Sequence, residues 1–350
     1  MAQNSVGPVV KDELPLTPEY VPDRLSGREQ AVAEISSCLA PAASQRKPIH
    51  VWIHGASGSG KTAAARLAVM RLGRACPAAY VSCWTCRSFY AVLDALTADL
   101  HVLRAEEQRK AVRLRRLERH LGAAPCIIIL DDLDLPAASE REDMLRSLAS
   151  IGKVGLICIS NSRKALLRLS EHVAARLNPR VVAFKPYAPE EILSILEERA
   201  QLALAPGTWT KAGLARIAEL SCGSASLAIE ILRAAAYAAE AGHEVCIRPA
   251  HIRDGRSRIL ADCEKSLAAG FTPHHALLWR LVREEGRIPY GNLRKAYLAR
   301  CRAYKVTPIA GRTYSKYVSH LTGVGAILPA GRTRGSRTFL PAAHVPTHCS

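Results

Sequence analysis

The residues with the clearest chemical meaning lie between Gly55 and Thr62, where GASGSGKT fits the pattern GxxxxGK[ST]. Glycines allow the backbone N–H groups to turn toward a phosphate, and the start of a following helix favours negative charge. The residues that this pattern assigns to a nucleotide are Gly58, Ser59, Gly60, Lys61 and Thr62. We expect Lys61 to reach the β and γ phosphates and the Thr62 hydroxyl to ligate Mg²⁺. The pattern therefore indicates a site for ATP or ADP with Mg²⁺.

A pair of carboxylates follows an apolar run farther along the chain, in CIIILDD at residues 126–132. An apolar strand that ends in acid is typical of a magnesium-coordinating segment, so Asp131 is expected to hold the metal. Asp132 stands where a glutamate usually orients the attacking water, and its side chain is one methylene shorter. The alternative for two adjacent aspartates is a solvated loop, but their place after a phosphate-binding loop favours a catalytic role.

A third polar position follows the next apolar run, VGLICIS, at Ser160 and Asn161. An amide at the end of a strand can contact the γ-phosphate or the attacking water. Asparagine in such a place is often only a turn residue. The order of the three segments along the chain favours the phosphate-sensing role for Asn161.

Residues 17–188 alternate between short apolar runs and longer amphipathic runs, after a polar tail at 1–16 that we expect to be flexible. The predicted strands are IHVWIHG, AAYVSC, CIIILDD and VGLICIS, each short, apolar and bounded by turn residues. Helical patterns such as KTAAARLAVMRLGR lie between them. This alternation predicts an α/β fold with a parallel sheet.

Residues 189–256 contain helical patterns only, among them PEEILSILEERAQLAL and ASLAIEILRAAAYAAEAG. They predict a small helical domain. The stretch IRPAHIRDGRSRIL is assigned a connecting role between this domain and the next.

Residues 257–345 predict a winged-helix domain, with three helices followed by two short strands around a basic tip, AGRTRGSR. From His251 to Ser350 there are 17 Lys and Arg against five Asp and Glu, so much of the net charge of +17 lies here. Such a domain suits a polyanion, most often nucleic acid, although a merely solvated basic surface has the same composition. The candidate DNA contacts are Arg312, Tyr314, Ser315 and Lys316 on the third helix and Arg332, Arg334 and Arg337 on the wing.

The remaining composition predicts a cytoplasmic protein without a membrane segment. No apolar run approaches the roughly 18–20 residues that span a bilayer, and the N-terminus lacks a secretory pattern. Eleven cysteines, odd in number and without framework spacing, are expected to be small buried apolar residues. Cys83 and Cys86 have metal-ligand spacing, but no second pair completes a four-ligand zinc site.

The chain resembles the archaeal members of the origin-recognition and cell-division-cycle initiator family, AAA+ ATPases that mark replication origins. The resemblance runs from Tyr20 to about Leu340 and rests on the following segments: YVPDRLSGRE at 20–29, the loop at 55–62, DDLD at 131–134, ISN at 159–161, FKPY at 184–187 and the winged-helix pattern from Ile288 to Leu328. It implies an AAA+ sheet domain, a helical lid and a winged helix that reads origin DNA. It also implies nucleotide contacts from Tyr187 and Arg199, and a DNA contact near Arg87.

Two positions depart from the family pattern. Family members usually place an arginine in the lid sequence GDAR, where it senses the γ-phosphate, whereas this chain has Ser226 in the sequence GSAS. Asp132 replaces the usual glutamate. Both changes bear on hydrolysis more than on nucleotide binding, so we expect weak or slow ATPase activity.

Three functions are compatible with these features. The first is an ATP-regulated initiator that binds origin duplex DNA and helps to recruit the replicative helicase. The second is a nucleotide-binding regulator or adaptor with a degenerate ATPase. The third is a mobile-element ATPase that binds DNA without an origin preference. The basic charge of the last hundred residues argues against the second, and the altered catalytic set argues against the third.

Overall fold

The computed structural model describes residues 8–73, 76–102, 109–269, 271–323, 326–333 and 336–341, and the chain divides into two compact units, 1–233 and 234–350. In the described part of the chain, none of the helices is sufficiently long and apolar to cross a bilayer.

The first unit is built on a five-stranded sheet in which every neighbouring pair is parallel. Its strands are β1 (Val51–Gly55), β2 (Ala78–Ser82), β3 (Cys126–Asp131), β4 (Val154–Ser160) and β5 (Arg180–Phe184), in the order β2-β3-β4-β1-β5. Because β1, β3 and β4 are adjacent, the sequences that follow these strands meet at one edge of the sheet. The four predicted strands are confirmed. β5 was not among them, and its alternating exposure at the edge of the sheet gives only a short apolar pattern.

Helices cover both faces of this sheet. They are α1 (Glu29–Leu39), α2 (Lys61–Met70), α3 (Phe89–Asp99), α4 (Lys110–Leu121), α5 (Ala138–Ala149), α6 (Lys164–Leu167) and α7 (Glu171–Leu177). One buried cluster contains Trp52, Ile128 and Leu156, and another contains Ile53, Ile129 and Ile157. Successive strand residues thus face opposite apolar layers, which accounts for strands that are apolar throughout.

The helical region after the sheet contains α8 (Pro189–Ala203), α9 (Lys211–Leu220) and α10 (Ala225–Ala241), as the helical patterns predict. Residues 8–16 pack against the end of α8. Val9 and Leu16 are buried, Val10 pairs with Leu204, and a 3-10 turn spans Leu14–Leu16. The prediction of a flexible tail is therefore wrong for residues 8–16, because these apolar residues find a buried site that polar composition did not reveal.

The second unit contains α11 (Pro249–Ala269), α12 (Pro273–Glu285), α13 (Tyr290–Ala303) and α14 (Gly311–Gly323), with β6 (Ile288–Pro289), β7 (Ile327–Thr333) and β8 (Ser336–Pro341). The strands form a sheet in the order β6-β8-β7, with antiparallel pairing. Helices α12, α13 and α14, with the hairpin of β7 and β8, form the predicted winged helix. The segment assigned only a connecting role is helix α11, whose Gly255 packs closely against Ala234.

Candidate nucleotide site and DNA-binding surface

The loop between β1 and α2 curves around the start of α2. Gly58 and Gly60 have φ angles of 71° and 90°, in the left-handed region that glycine adopts readily. A Cβ atom on Gly58 would lie 2.0 Å from Ser224 Oγ, and one on Gly60 would lie 2.5 Å from the Tyr187 hydroxyl. These two positions therefore require glycine for both backbone geometry and space.

Lys61 is buried at the end of this loop. Its Nζ donates to the carbonyl oxygens of Gly55 (2.9 Å) and Ala56 (2.8 Å) and to Asn161 Oδ1 (3.0 Å). Burial lowers the pKa of Lys61, while the carboxylates of the Asp131–Asp134 segment oppose this shift. Lys61 is the predicted lysine of the phosphate-binding loop at residues 55–62 (the P-loop). It is thus in direct contact with Asn161, the predicted phosphate-sensing amide.

Asp131 is buried where β3 ends and accepts three hydrogen bonds. Thr62 Oγ1 donates to its Oδ2 over 2.7 Å, the Tyr80 hydroxyl donates to the same oxygen over 3.1 Å, and the backbone N–H of Asp132 donates to Oδ1 over 2.9 Å. The Thr62 hydroxyl and the Asp131 carboxylate supply adjacent hard oxygen atoms, the ligand type that Mg²⁺ prefers. No sequence pattern marks Tyr80 as a site residue, because a tyrosine in a strand usually packs in the core.

Asp132 is half-buried and has a φ of 55°, a left-handed conformation that is uncommon outside glycine. Burial and the neighbouring Asp131 raise the pKa of Asp132 to about 6, and Lys61 opposes the shift. Asn161, at the neighbouring strand end, donates its backbone N–H to Asp134 Oδ2. The predicted catalytic residues Lys61, Asp131, Asp132 and Asn161 therefore belong to one site.

A cleft lies beside the P-loop. Its lining includes Tyr20, Leu25, Gly58, Gly60, Tyr187, Ile195, Glu198, Arg199 and Ser226. Tyr187 and Arg199, the two nucleotide contacts implied by the family resemblance, lie at this cleft but are themselves almost fully buried. The Arg199 guanidinium lies 4.2 Å from the centre of the Tyr20 ring, and its Nη1 donates to the Pro15 carbonyl over 2.9 Å.

The site fits a nucleotide by an observation independent of sequence pattern. The Ser59 hydroxyl is buried and has no hydrogen-bond partner among the described residues, although buried polar atoms are usually paired. It lies in the loop that Gly58 and Gly60 shape, one residue before Lys61. Phosphate oxygens would satisfy this hydroxyl, and the apolar side chains Leu25 and Ile195 suit a base.

On the winged helix, the third helix α14 exposes Arg312, Ser315 and Lys316. Ser315 Oγ also interacts with the Tyr290 hydroxyl at 2.8 Å. Tyr314 is 1% exposed, and its ring centre lies 5.5 Å from those of Tyr290 and Tyr297. The prediction that Tyr314 reaches a DNA groove is therefore wrong, because its side chain belongs to the apolar stripe by which α14 packs on the core.

The predicted wing contacts are described only in part. Arg332 and Arg337 are paired across β7 and β8, but their side chains lie outside what the structure describes. Arg334 lies outside the described residues. In the first unit, Arg87 is exposed beside Trp84, with its guanidinium 5.6 Å from the Trp84 ring centre.

Two family models match this chain. Residues 24–159 match the AAA ATPase domain, and residues 193–257 match the Cdc6 AAA+ ATPase-type lid domain. ORC1-type DNA replication protein 1 of Aeropyrum pernix is 29% identical over 349 residues, covering 91% of this chain and 87% of the relative. ORC1-type DNA replication protein 1 of Halobacterium salinarum is 28% identical over 306 residues, covering 83% and 96%.

Solved structures show the same fold. The Aeropyrum pernix Orc1 protein in complex with DNA superposes with a TM-score of 0.78 at 25% identity, covering 97% of this chain and 95% of that chain. Cdc6p from Pyrobaculum aerophilum gives 0.64 at 22% identity, covering 97% and 96%. With the P-loop, the paired acidic strand end and the winged helix in place, this chain is similar to the Orc1/Cdc6-type AAA+ proteins in both sequence and fold.

Proposed function

We propose that this protein is a DNA replication initiator that binds ATP or ADP with Mg²⁺ and recognises duplex DNA at replication origins. The observation that carries the proposal is similarity to an archaeal ORC1-type replication protein along 91% of the chain, through both the nucleotide site and the winged helix. Either part alone would suit many proteins. Together they favour the initiator over the regulator and the mobile-element ATPase.

At the nucleotide site, the P-loop and Lys61 would bind the phosphates, and Thr62 and Asp131 would hold Mg²⁺. The metal would neutralise charge on the phosphate oxygens and strengthen nucleotide binding. The buried Ser59 hydroxyl and the loop N–H groups would complete the cradle. Tyr187 and Arg199 would shape the base side of the cleft, with Arg199 acting partly by tying residues 15–20 to α8.

Hydrolysis would be slow at this site. Asp132 supplies a carboxylate with a shorter reach than glutamate, and Ser226 at the start of α10 supplies no positive charge to the cleft. A bound nucleotide would therefore remain unhydrolysed for long periods, and its main effect would be to stabilise the fold.

On DNA, α14 would enter the major groove through Arg312, Ser315 and Lys316, with Tyr314 supporting the helix from the core. Arg332, Arg334 and Arg337 on the wing would contact neighbouring phosphates and set affinity more than sequence preference. Arg87 would add a contact from the ATPase domain. By analogy with the family, the DNA-bound protein would then help to recruit the replicative helicase.

The test is binding to duplex fragments of the organism's own genome, with and without ATP, across a salt series. Selective retention of one or a few intergenic fragments is the expected result. Uniform binding combined with DNA-stimulated ATP turnover would instead indicate the mobile-element ATPase, and absence of DNA binding would indicate the regulator. Lys61→Ala separates the two sites, because it should abolish nucleotide binding while the winged helix still binds DNA.

A further inference from the structure

Arg28 is a buried cation just behind the P-loop, at the start of α1. The residue is 9% exposed, and the preceding Gly27 turns the chain with a φ of 71°. Its position in the sequence, four residues after the exposed Arg24, gives no sign of burial.

The Arg28 guanidinium joins three segments of the first unit through carbonyl oxygens. Its Nε donates to Ser59 over 3.0 Å, Nη1 to Gly27 over 2.8 Å, and Nη2 to Lys185 over 2.6 Å. Ser59 is in the middle of the P-loop, and Lys185 directly follows β5. A planar fork with several N–H donors can make such a set of bonds, whereas an ammonium group presents a single point.

The same guanidinium stacks on Tyr187, 3.7 Å from the ring centre. The hydroxyl of this ring faces Gly60, since a Cβ on Gly60 would lie 2.5 Å from it. Arg28 thus contacts the P-loop directly at Ser59 and supports the aromatic ring that packs against the loop at Gly60.

No carboxylate forms an ion pair with Arg28 among the residues that the structure describes. Burying a charge that is met only by neutral carbonyls and an aromatic ring, without a paired anion, is unfavourable. The anion that would compensate it is the phosphate chain of a nucleotide in the adjacent loop.

We propose that Arg28 is a positioning residue for the phosphates: it holds the P-loop in its nucleotide-accepting shape, and the bound phosphates balance its buried charge. This inference rests on the nucleotide binding proposed above. Arg28 acts on the phosphate chain and not on the base. Its loss should therefore weaken the binding of each nucleotide in proportion to the number of phosphates that the nucleotide carries.

The experiment compares ADP and AMP binding by titration calorimetry to the full chain with Mg²⁺ present, for the wild type, Arg28→Gln, Arg28→Lys and the control Arg71→Gln. Arg71 is an exposed arginine at the end of α2. Loss of charge-assisted contacts predicts that Arg28→Gln weakens ADP binding by about 10- to 100-fold and AMP binding by much less. Arg71→Gln should match the wild type.

Arg28→Lys keeps the charge but not the fork, so we expect its ADP affinity to remain clearly below that of the wild type. If Arg28→Gln does not fold, this variant decides the question through the same comparison of ADP with AMP. Equal losses for ADP and AMP, or wild-type ADP affinity in either variant, would overturn the inference. Failure of the wild type to bind ADP would instead overturn the proposed nucleotide function.

Discussion

Asp132 lies where a catalytic carboxylate is predicted, but it has a short side chain and an uncommon backbone conformation. Asp131 next to it is tied down by Thr62, Tyr80 and the Asp132 N–H, so it has little freedom to take over the second role. The distance from the Asp132 carboxylate to an attacking water is therefore expected to limit hydrolysis.

Asp132→Glu is expected to increase the rate of ATP turnover on the order of tenfold, because the added methylene extends the carboxylate toward the water. The measurement is phosphate release at saturating ATP and Mg²⁺, with Asp132→Ala as the comparison that removes the carboxylate. Nucleotide affinity should change little in either variant. Turnover unchanged by the glutamate would show that the missing arginine at Ser226, or another step, limits the rate.

For individual residues, the sequence predicted which ones lie close together better than it predicted which way each side chain points. Lys61, Thr62, Asp131 and Asn161 could be placed together because loop and strand-end residues of a parallel sheet converge. Tyr314 was misplaced and Arg28 was not selected for the same reason: an aromatic ring in a basic helix and an arginine beside a glycine carry no local sign of burial. Their directions are set by partners distant in sequence, such as Tyr297 and Lys185.

Among the elements, strands buried on both faces were predicted well and elements held by distant contacts were not. β3 and β4 are fully buried along their length, so their sequences are continuous apolar runs. The edge strand β5 and residues 8–16 have mixed composition, and their structure depends on pairing with β1 and on packing against the end of α8. Helix α11 is rich in arginine and lacks a strong apolar stripe, so periodicity did not reveal it.

The P-loop and the start of α10 are packed so closely that a methyl group added at Gly58 should push them apart. Gly58→Ala would place a Cβ 2.0 Å from Ser224 Oγ, and the Ala225 N–H that donates to the Gly58 carbonyl over 2.9 Å would be displaced. We expect nucleotide affinity to fall by at least about tenfold. The measurement is the dissociation constant of a fluorescent ADP analogue.

Gly73→Ala is the matched control. Gly73 also has a left-handed φ, of 62°, but a Cβ there would meet no atom of the described residues within 4 Å. Both variants should lose about 1–2 kcal/mol of unfolding free energy from backbone strain. Only Gly58→Ala should lose nucleotide affinity, and equal affinity in the two variants would contradict the packing argument.

The residue just before β1 is a histidine, His50, that should make the first unit sensitive to acid. His50 is buried, its Nδ1 accepts the backbone N–H of Leu156 over 3.0 Å, and its Nε2 has no hydrogen-bond partner within the described ranges. Burial, with a smaller effect from Lys47, lowers the pKa of His50 from 6.5 to about 4. The unfolded chain therefore binds a proton between these values while the folded chain does not.

The contribution of neutral His50 to the free energy of unfolding is complete above pH 6.5, and it is lost as the pH falls from there toward 4. For a single histidine with these pKa values, the loss at pH 5 is about 2 kcal/mol. His50→Asn keeps a side-chain acceptor without the titration, so its urea midpoint should fall less than that of the wild type between pH 7.5 and pH 5. Parallel declines in both proteins would show that other groups determine the acid sensitivity.

For the molecule as a whole, the two units carry different parts of the proposed function. The first contains the nucleotide site with its acidic residues, and the second contains a helix with exposed basic side chains. The charge of the last hundred residues predicted the second unit's partner class, whereas no property of composition could predict which arginines face DNA.

Salt dependence of duplex binding should therefore separate surface cations from residues that only support α14. Each phosphate contact releases counterions, so Arg312→Ala and Lys316→Ala should each reduce the slope of log affinity against log salt by about 1. Tyr314→Phe keeps the buried ring, and Arg283→Ala removes an equal charge from α12 beside Trp279. Both controls should retain the wild-type slope, measured by fluorescence anisotropy on a selected genomic fragment. If Arg283→Ala lowered the slope as much as Arg312→Ala, binding would follow total charge and α14 would not be the DNA-reading helix.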